Sequence, residues 1–389
     1  MNSGWRKYSL DDVLFHDVES LEQVVPDKVY EMVGVYSYGK GLFDKEELLG
    51  LNTSYKNFYR LRSDHIVMSQ LFGWEGAIAM SNANFEGKYV STQFPTFIVN
   101  SKIANRQFVG YYLQTKELWQ RLFKLGKGMG SRRRTLNPSN LLSLDIQLPG
   151  LPEQDRIIRN IESVKVKSDK IRILRREQQK EIRNFVYSKY CQVIQDADWE
   201  ALINVAPIIR RYVDVDENDF YPELGIRSFG KGTFHKAPLS GFEVGTKKIF
   251  QIKSGDLLFS NVFAWEGAIA VAQPVDNNRY GSHRFISCEV DSDRAVAEFL
   301  CYHFLTPQGM EDINKASPGG AGRNKTLGLN KLMSIRVPLP LKERQVEFAE
   351  FQKRMSIVSD YHLATLKGLD ELFPALLDKS FKGDSSLIL

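Results

Sequence analysis

The sequence predicts an α+β protein with two duplicated mixed α/β lobes. Two long helices separate the lobes and form an antiparallel coiled coil, so that one chain of 389 residues is pseudo-two-fold symmetric. Two observations predict this. Sequence elements recur at a fixed offset, and two long segments carry apolar positions spaced alternately three and four residues apart, the pattern of a coiled-coil seam.

The repeat sets the domain organisation. GVYSYGKGLFDKEEL, from Gly34 to Leu48, aligns with GIRSFGKGTFHKAPL, from Gly225 to Leu239, at an offset of 191 with eight identities in fifteen. SQLFGWEGAIA, from Ser69, aligns at the same offset with SNVFAWEGAIA, from Ser260, with eight identities in eleven. The offset persists through Arg132/Arg323, Thr135/Thr326, Leu136/Leu327 and Leu141/Leu332, and it carries IQLPGLPEQ onto VPLPLKERQ. A period this long is a domain duplication rather than a solenoid. The expected units are a first lobe over 1–150, a central spacer helix over 151–193, a second lobe over 194–340, a C-terminal spacer helix over 341–383 and a tail over 384–389.

Within the lobes, HIVMSQLF, GAIAMS and PTFIVNS in the first copy, and DLLFSNVF, GAIAVAQ and FISCEV in the second, are short β-rich runs between Gly, Asn and Asp breaks. Arg106 to Phe123 and Ala295 to Gln308 have helical composition. Each is followed by a Gly-rich basic loop, LGKGMGSRRRTLNP or ASPGGAGRNKTLGL.

The central helix is predicted from Pro152, Glu153 and Asp155, which suit a helix start, and from a seam of Ile157, Ile161, Val164, Ser168, Ile171, Arg175, Gln178, Ile182 and Phe185. So narrow a seam on so long a helix needs a partner. Leu341 to Phe381 supplies one through Phe348, Phe351, Met355, Val358, His362, Thr365, Leu369, Leu372 and Leu376. Gly368 weakens this second helix, and Pro374 is expected to kink it. The alternative is two amphipathic helices that each pack on their own domain.

Composition narrows the function classes. The chain is 43% apolar and 25% charged, ordinary for a globular protein, and no apolar run reaches the length of a membrane span, so a cytoplasmic protein without membrane contact is expected. Cys191, Cys288 and Cys301 have no metal-ligand or disulfide spacing and read as small buried residues. A net charge of +5 permits nucleic-acid binding without arguing for it. Independent catalysis on DNA lacks its parts. There is no GxxxxGK[ST] loop and no Asn/Asp-Pro-Pro-aromatic segment, and the acid of Glu86-Gly87-Lys88 is not retained in the second copy.

From Trp5 to Phe381 the chain resembles the specificity subunits of type I restriction-modification systems, which alternate a target-recognition domain with a helical spacer, twice. The resemblance rests on YGKGLF and FGKGTF, the paired WEGAIA segments, the basic loops ending in RTLNPSNL and KTLGLNKL, and the helix entrances LPGLPEQDRI and LPLKERQVEF. In the second entrance Arg344 separates Glu343 from Gln345.

The resemblance implies a sequence-specific double-stranded DNA recognition subunit without catalytic residues. Each lobe would read half of a bipartite target, while the coiled coil sets the spacing and docks two methyltransferase subunits. Restriction endonuclease subunits complete such complexes. Adenine-N6 methyltransferase and ATP-dependent endonuclease activities, with S-adenosylmethionine, ATP and Mg, would belong to those partners, and this chain is expected to bind no cofactor or metal. Because the lobes are alike, related half-sites are expected. A related system with a fused methyltransferase-nuclease partner, and a coiled-coil scaffold that does not itself read DNA, remain as alternatives.

Candidate DNA contacts follow from chemistry. Lys127, Ser131, Arg132, Arg133 and Arg134 lie in the first Gly-rich loop, where backbone can approach phosphates and guanidinium groups can bind phosphate or guanine bidentately. Arg323, Asn324 and Lys325 are their second-copy equivalents, and a solvated basic loop is the plainer alternative. Lys40 and Lys231 stand between glycines in the GKG segments. Gln93 and Arg284 are aligned but chemically different, as readers of different bases must be, with Ser91 and His283 beside them. Trp74 and Trp265 read as core packing, since a duplex presents no free base face. His65 and His235 read as structural or exposed.

Overall fold

The computed structural model describes residues 4–126, 134–319 and 325–382. They form two compact units, one from the described residues of Met1–Arg175 and Leu363–Leu389, the other from Arg176–His362. Two long helices, Leu151–Ile194 and Lys342–Phe381, each contribute to both units. Among the described residues no helix is long and apolar enough to cross a membrane.

In the first unit, Ile78–Met80, Ile66–Met68, Thr96–Val99 and Leu14–His16 form a four-stranded antiparallel sheet in that order. Tyr89–Ser91, Asn57–Arg60 and Leu21–Gln23 form a three-stranded one. The terminal strand Arg6–Ser9 pairs with Asp145–Leu148 directly before the central helix. Leu14, Ile66, Phe97, Phe108, Leu118 and Ile146 are buried together with Ile157 and Ile161 of the central helix and Leu377 of the C-terminal helix. The lobe core and the helix seam are one apolar body.

The second unit repeats this plan. Ile208–Ile209, Phe285–Cys288, Leu257–Ser260 and Ile269–Val271 form the equivalent sheet. Its other sheet is extended by a long hairpin, Phe220–Ile226 with Thr233–Ser240, where the first unit has only the short pair Val33–Val35 and Leu42–Asp44. Val186, Tyr190 and Phe348 of the long helices join Leu257, Phe259, Phe299 and Phe304 in its core.

The helix expected in the first lobe is split in two, Arg106–Tyr112 and Lys116–Leu125, and in the second lobe Ala297–Leu305 stands where a helix was expected and is followed by a further one, Pro307–Ala316, that runs beyond it. The reason is a threonine at the same repeat position. Thr115 and Thr306 donate their hydroxyls to Tyr112 O and His303 O at 2.7 and 2.6 Å and accept from Leu118 N and Gly309 N, ending one helix and capping the next.

Within each unit the two long helices run antiparallel. In the first, Arg172 donates to Leu369 O at 3.0 Å and pairs with Asp370 at 3.2 Å. In the second, Gln179 and Ser359 exchange two hydrogen bonds of 2.8 Å, and Phe185 meets Phe351 edge-on. The seam departs from the expected register. Phe185 and Ile171 are exposed, whereas Ile157, Ile161, Ser168, Gln179, Val186, Tyr190 and Val193 are buried. These positions keep a period of about 3.6 residues, so a seam extrapolated at 3.5 falls one residue behind by Gln179. The C-terminal helix shows the same slip, with Val358 and Leu372 exposed and the neighbouring Ser359 and Phe373 half-buried. It continues through Pro374 to Phe381. Pro374 leaves a carbonyl of the preceding turn without its N–H donor, and the Arg172 guanidinium brings donors to that turn. Cys191 is exposed rather than buried, while Cys288 is buried and Cys301 half-buried.

Both helix entrances are fixed by a fully buried glutamine. Gln154 Nε2 donates to Ile103 O and Pro149 O at 3.1 and 2.9 Å, and its Oε1 accepts from Asn105 N at 2.8 Å. Gln345 makes the same three bonds, to Arg294 O, Pro340 O and from Val296 N. Arg344 therefore leaves the second entrance intact, because the buried partner is the glutamine and not the glutamate. Another buried position is occupied differently in the two copies. His65 Nε2 lies 2.9 Å from Asp17 Oδ2, whereas its repeat equivalent Asp256 holds Arg211 through two bonds of 2.6 and 3.0 Å. Burial outweighs the Asp17 charge and holds the His65 pKa below its ordinary value.

Replacing Gln154 by Leu strands a backbone N–H and two carbonyls, at a cost of about 2 to 3 kcal/mol. Calorimetry of the variant should show one transition lowered by roughly 5 to 10 °C. His303, fully buried with Nδ1 2.6 Å from Tyr190 Oη, is held down to about 4 by burial. Its contribution to stability is complete above the unfolded value near 6.5 and is lost as pH falls from there towards 4. In His303→Asn, which keeps an acceptor for Tyr190, the melting temperature should decline less over that interval than in the unsubstituted chain.

Candidate nucleic-acid interface

In both units the candidate residues surround one turn. The first-unit strand Ile66–Met68 runs into Ser69–Phe72, makes a tight turn at Gly73–Glu75, and reverses through Gly76 into Ile78–Met80. Ser69 Oγ accepts from Phe72 N at 3.2 Å, and the Trp74 indole N–H donates to Leu71 O at 2.9 Å. The second unit repeats both bonds, with Ser260 accepting from Phe263 N and Trp265 donating to Val262 O. This accounts for the shared Ser, Trp and Gly of the two segments.

Three other segments fasten to this turn. Gln70 N donates to Gln93 O at 2.9 Å and Gln70 O accepts from Leu136 N at 2.8 Å, and Asn261 bonds Arg284 O and Leu327 N in the same way. The backbones beside Gln93 and Arg284 are thus joined to those that follow the two basic loops. The GKG loops attach on the other side. Tyr38 N and Gly39 N donate to Glu75 O and Gly76 O at 2.8 and 3.0 Å, as do Phe229 N and Gly230 N to Glu266 O and Gly267 O. Ser37 and Ser228 hydroxyls reach the carboxylates of Glu75 and Glu266 at 3.3 and 3.1 Å. Those acids are fixtures of the loop.

Lys40 and Lys231 are exposed on the GKG loops, and Gln93, His283 and Arg284 are exposed at the ends of strand connections bonded to the turn. Ser91 is buried in Tyr89–Ser91 and does not share that surface. The Arg134 guanidinium lies 4.1 Å from the Phe123 ring centre and donates to Phe123 O and Gly126 O, so it closes the end of Lys116–Leu125 instead of standing free. Lys325 is also engaged, with Nζ 3.2 Å from Asn314 Oδ1 and 5.2 Å from the Trp265 ring centre. Trp74 packs against Phe123 at 5.6 Å, as core packing requires. Lys127, Ser131, Arg132, Arg133, Arg323 and Asn324 lie outside the described residues. The Ser–Glu clasp and the left-handed backbone of Tyr38 and Phe229, both at φ 62°, were missed, although all of these residues fall within repeated segments.

Residues 2–183, which include the whole first turn, match the family model of the type I restriction modification DNA specificity domain. Over these residues the chain is similar to a type I DNA specificity domain. The fold of the whole chain has relatives among solved structures. The HsdS subunit from Thermoanaerobacter tengcongensis is 21% identical with a TM-score of 0.60, over 99% of this chain and 98% of that one. A chain from a structure concerning complex assembly and conformational transition of the type I R-M system is 20% identical with a TM-score of 0.71, over 99% of each. No curated protein sequence matches. The second specificity-domain-like unit lies largely beyond the matched residues, and the internal repeat ties it to the first.

The glycines that close the two turns differ in surroundings. A Cβ on Gly76 would stand 2.3 Å from the Trp119 ring, which is held by its own N–H on Leu113 O, whereas on Gly267 it would meet nothing closer than 3.4 Å. Both glycines have φ above +70°, so alanine costs about 1 kcal/mol at either. Gly76→Ala should therefore lower the melting temperature clearly more than Gly267→Ala.

Proposed function

We infer that this chain is the sequence-specific, non-catalytic DNA-recognition subunit of a type I restriction-modification complex. One observation carries the reading. The arrangement around Gln70, inside the matched specificity domain, recurs bond for bond around Asn261. Two such surfaces in one chain suit a bipartite target, with each unit reading one half.

The exposed side chains fit such a division of labour. Lys40 and Lys231 supply the same charge in both units, as phosphate contacts require, while Gln93 and Arg284 differ as base readers must. Amide and guanidinium side chains favour adenine and guanine edges respectively in the major groove. The long helices hold the two units in one chain, set the unspecified gap and dock two methyltransferase subunits. Methyl transfer and cleavage belong to partner subunits, with S-adenosylmethionine, ATP and Mg bound there.

Co-expression with the neighbouring methyltransferase, followed by genome-wide mapping of N6-methyladenine, tests this. The expected result is a split motif with a fixed gap and related halves, absent when this chain is omitted. A stable complex that adds no methylation would replace this reading with a scaffold.

A further inference from the structure

Only three non-glycine residues among those described have a positive φ, and two of them, Tyr38 and Phe229, are repeat equivalents. An aromatic residue is poorly suited to left-handed backbone, where glycine carries no penalty. Here the strain is held by backbone bonds from residues 38–39 and 229–230 to the turn. Neither ring repays it by filling a core, since Tyr38 is 60% and Phe229 74% exposed. Tyr38 only touches Trp119 edge-on at 6.4 Å, and Phe229 has Lys231 Nζ 5.7 Å from its ring centre. Both copies thus keep an exposed ring where glycine would be easier to fold, and both follow it with Gly-Lys-Gly.

We propose that Tyr38 and Phe229 are wedge residues, each inserting its ring at one base step of its half-site while Lys40 or Lys231 takes the adjoining phosphate. The proposal rests on the DNA-reading function and adds where and how the duplex is deformed. An apolar ring on a rigid loop matches the parts that unstack a base step and kink a duplex. The Ser-aromatic-Gly-Lys-Gly segments carry a cation and no acid of their own, and the neighbouring Glu75 and Glu266 carboxylates are taken up by Ser37 and Ser228, which favours a polyanion over a neutral protein groove. Pinning by two backbone bonds in each loop means that little ordering remains to be done on binding. Because the easily unstacked steps are pyrimidine–purine, a wedge also selects sequence without touching a base edge. Each unit then has two means of discrimination, the side chain at 93 or 284 and the deformability of one step.

The test uses the full complex with its methyltransferase and the duplex motif found by methylation mapping, with 2-aminopurine placed in turn at each step. The unsubstituted complex should brighten the probe at one step in each half-site. Tyr38→Gly should abolish the signal in one half only and Phe229→Gly in the other, each weakening binding about tenfold or more. Tyr38→Phe and Phe229→Tyr should preserve both signals. Glycine suits this backbone, so the variants should melt no lower than the parent, which separates loss of the ring from misfolding. Unchanged binding and fluorescence in the glycine variants would overturn the proposal. So would loss of the methyltransferase from the purified complex, which would make the rings a subunit contact. A parent complex without any split motif would remove the DNA-reading function and the wedge together, an outcome distinct from either.

Discussion

The carboxamide of a buried glutamine at each helix entrance is the constraint on which the architecture depends. A long helix can be packed onto a lobe by apolar contact alone, but such contact tolerates rotation and sliding. Gln154 and Gln345 each satisfy one N–H and two carbonyls from two different segments, and only one helix phase does so. Leaving those groups unsatisfied costs more than the bonds themselves contribute, so the penalty for misplacing the helix is steep. Orientation of the seam is therefore set at the lobe and inherited along the helix.

The second constraint is the shared turn. Its backbone holds Gln93 or Arg284, the end of the basic loop and the GKG loop through backbone bonds, so these side chains can differ between copies while their mounts stay the same. The Ser–Glu clasps reinforce the last of these attachments. Specificity can change here without changing the fold.

Much of this was legible in the sequence. The duplication, the sheet strands and both long helices follow from spacing and self-similarity, which are local and repeated signals. What was missed depends on geometry. A heptad read at 3.5 residues cannot anticipate a straight 3.6 period, so Phe185 took the place of Val186 in the expected seam. Thr115 and Thr306 looked like ordinary helix residues because capping depends on the conformation of the residue itself. The engaged state of Arg134 and Lys325 depends on the nearness of Phe123 and Trp265, and no spacing rule conveys it. Ser91 was misplaced because the strand Tyr89–Ser91 is buried on both faces, which spacing alone does not convey. The role of Gln154 was half visible, because Gln and not Glu is kept at the repeat offset.

A duplicated chain carries a hazard that single-copy proteins avoid, since homologous segments can pair with the wrong copy during folding. The unlike pairs at His65 and Asp256 raise the cost of that error. A segment from the second copy seated in the first would put Asp256 against Asp17, two carboxylates in a dry interior. The reciprocal error would set His65 against Arg211, whose half-buried guanidinium would lose its two bonds to Asp256 and keep only the exposed Glu289. Similarity made the second lobe available, and this inverted pair marks one place where the lobes cannot exchange parts without a charge mismatch.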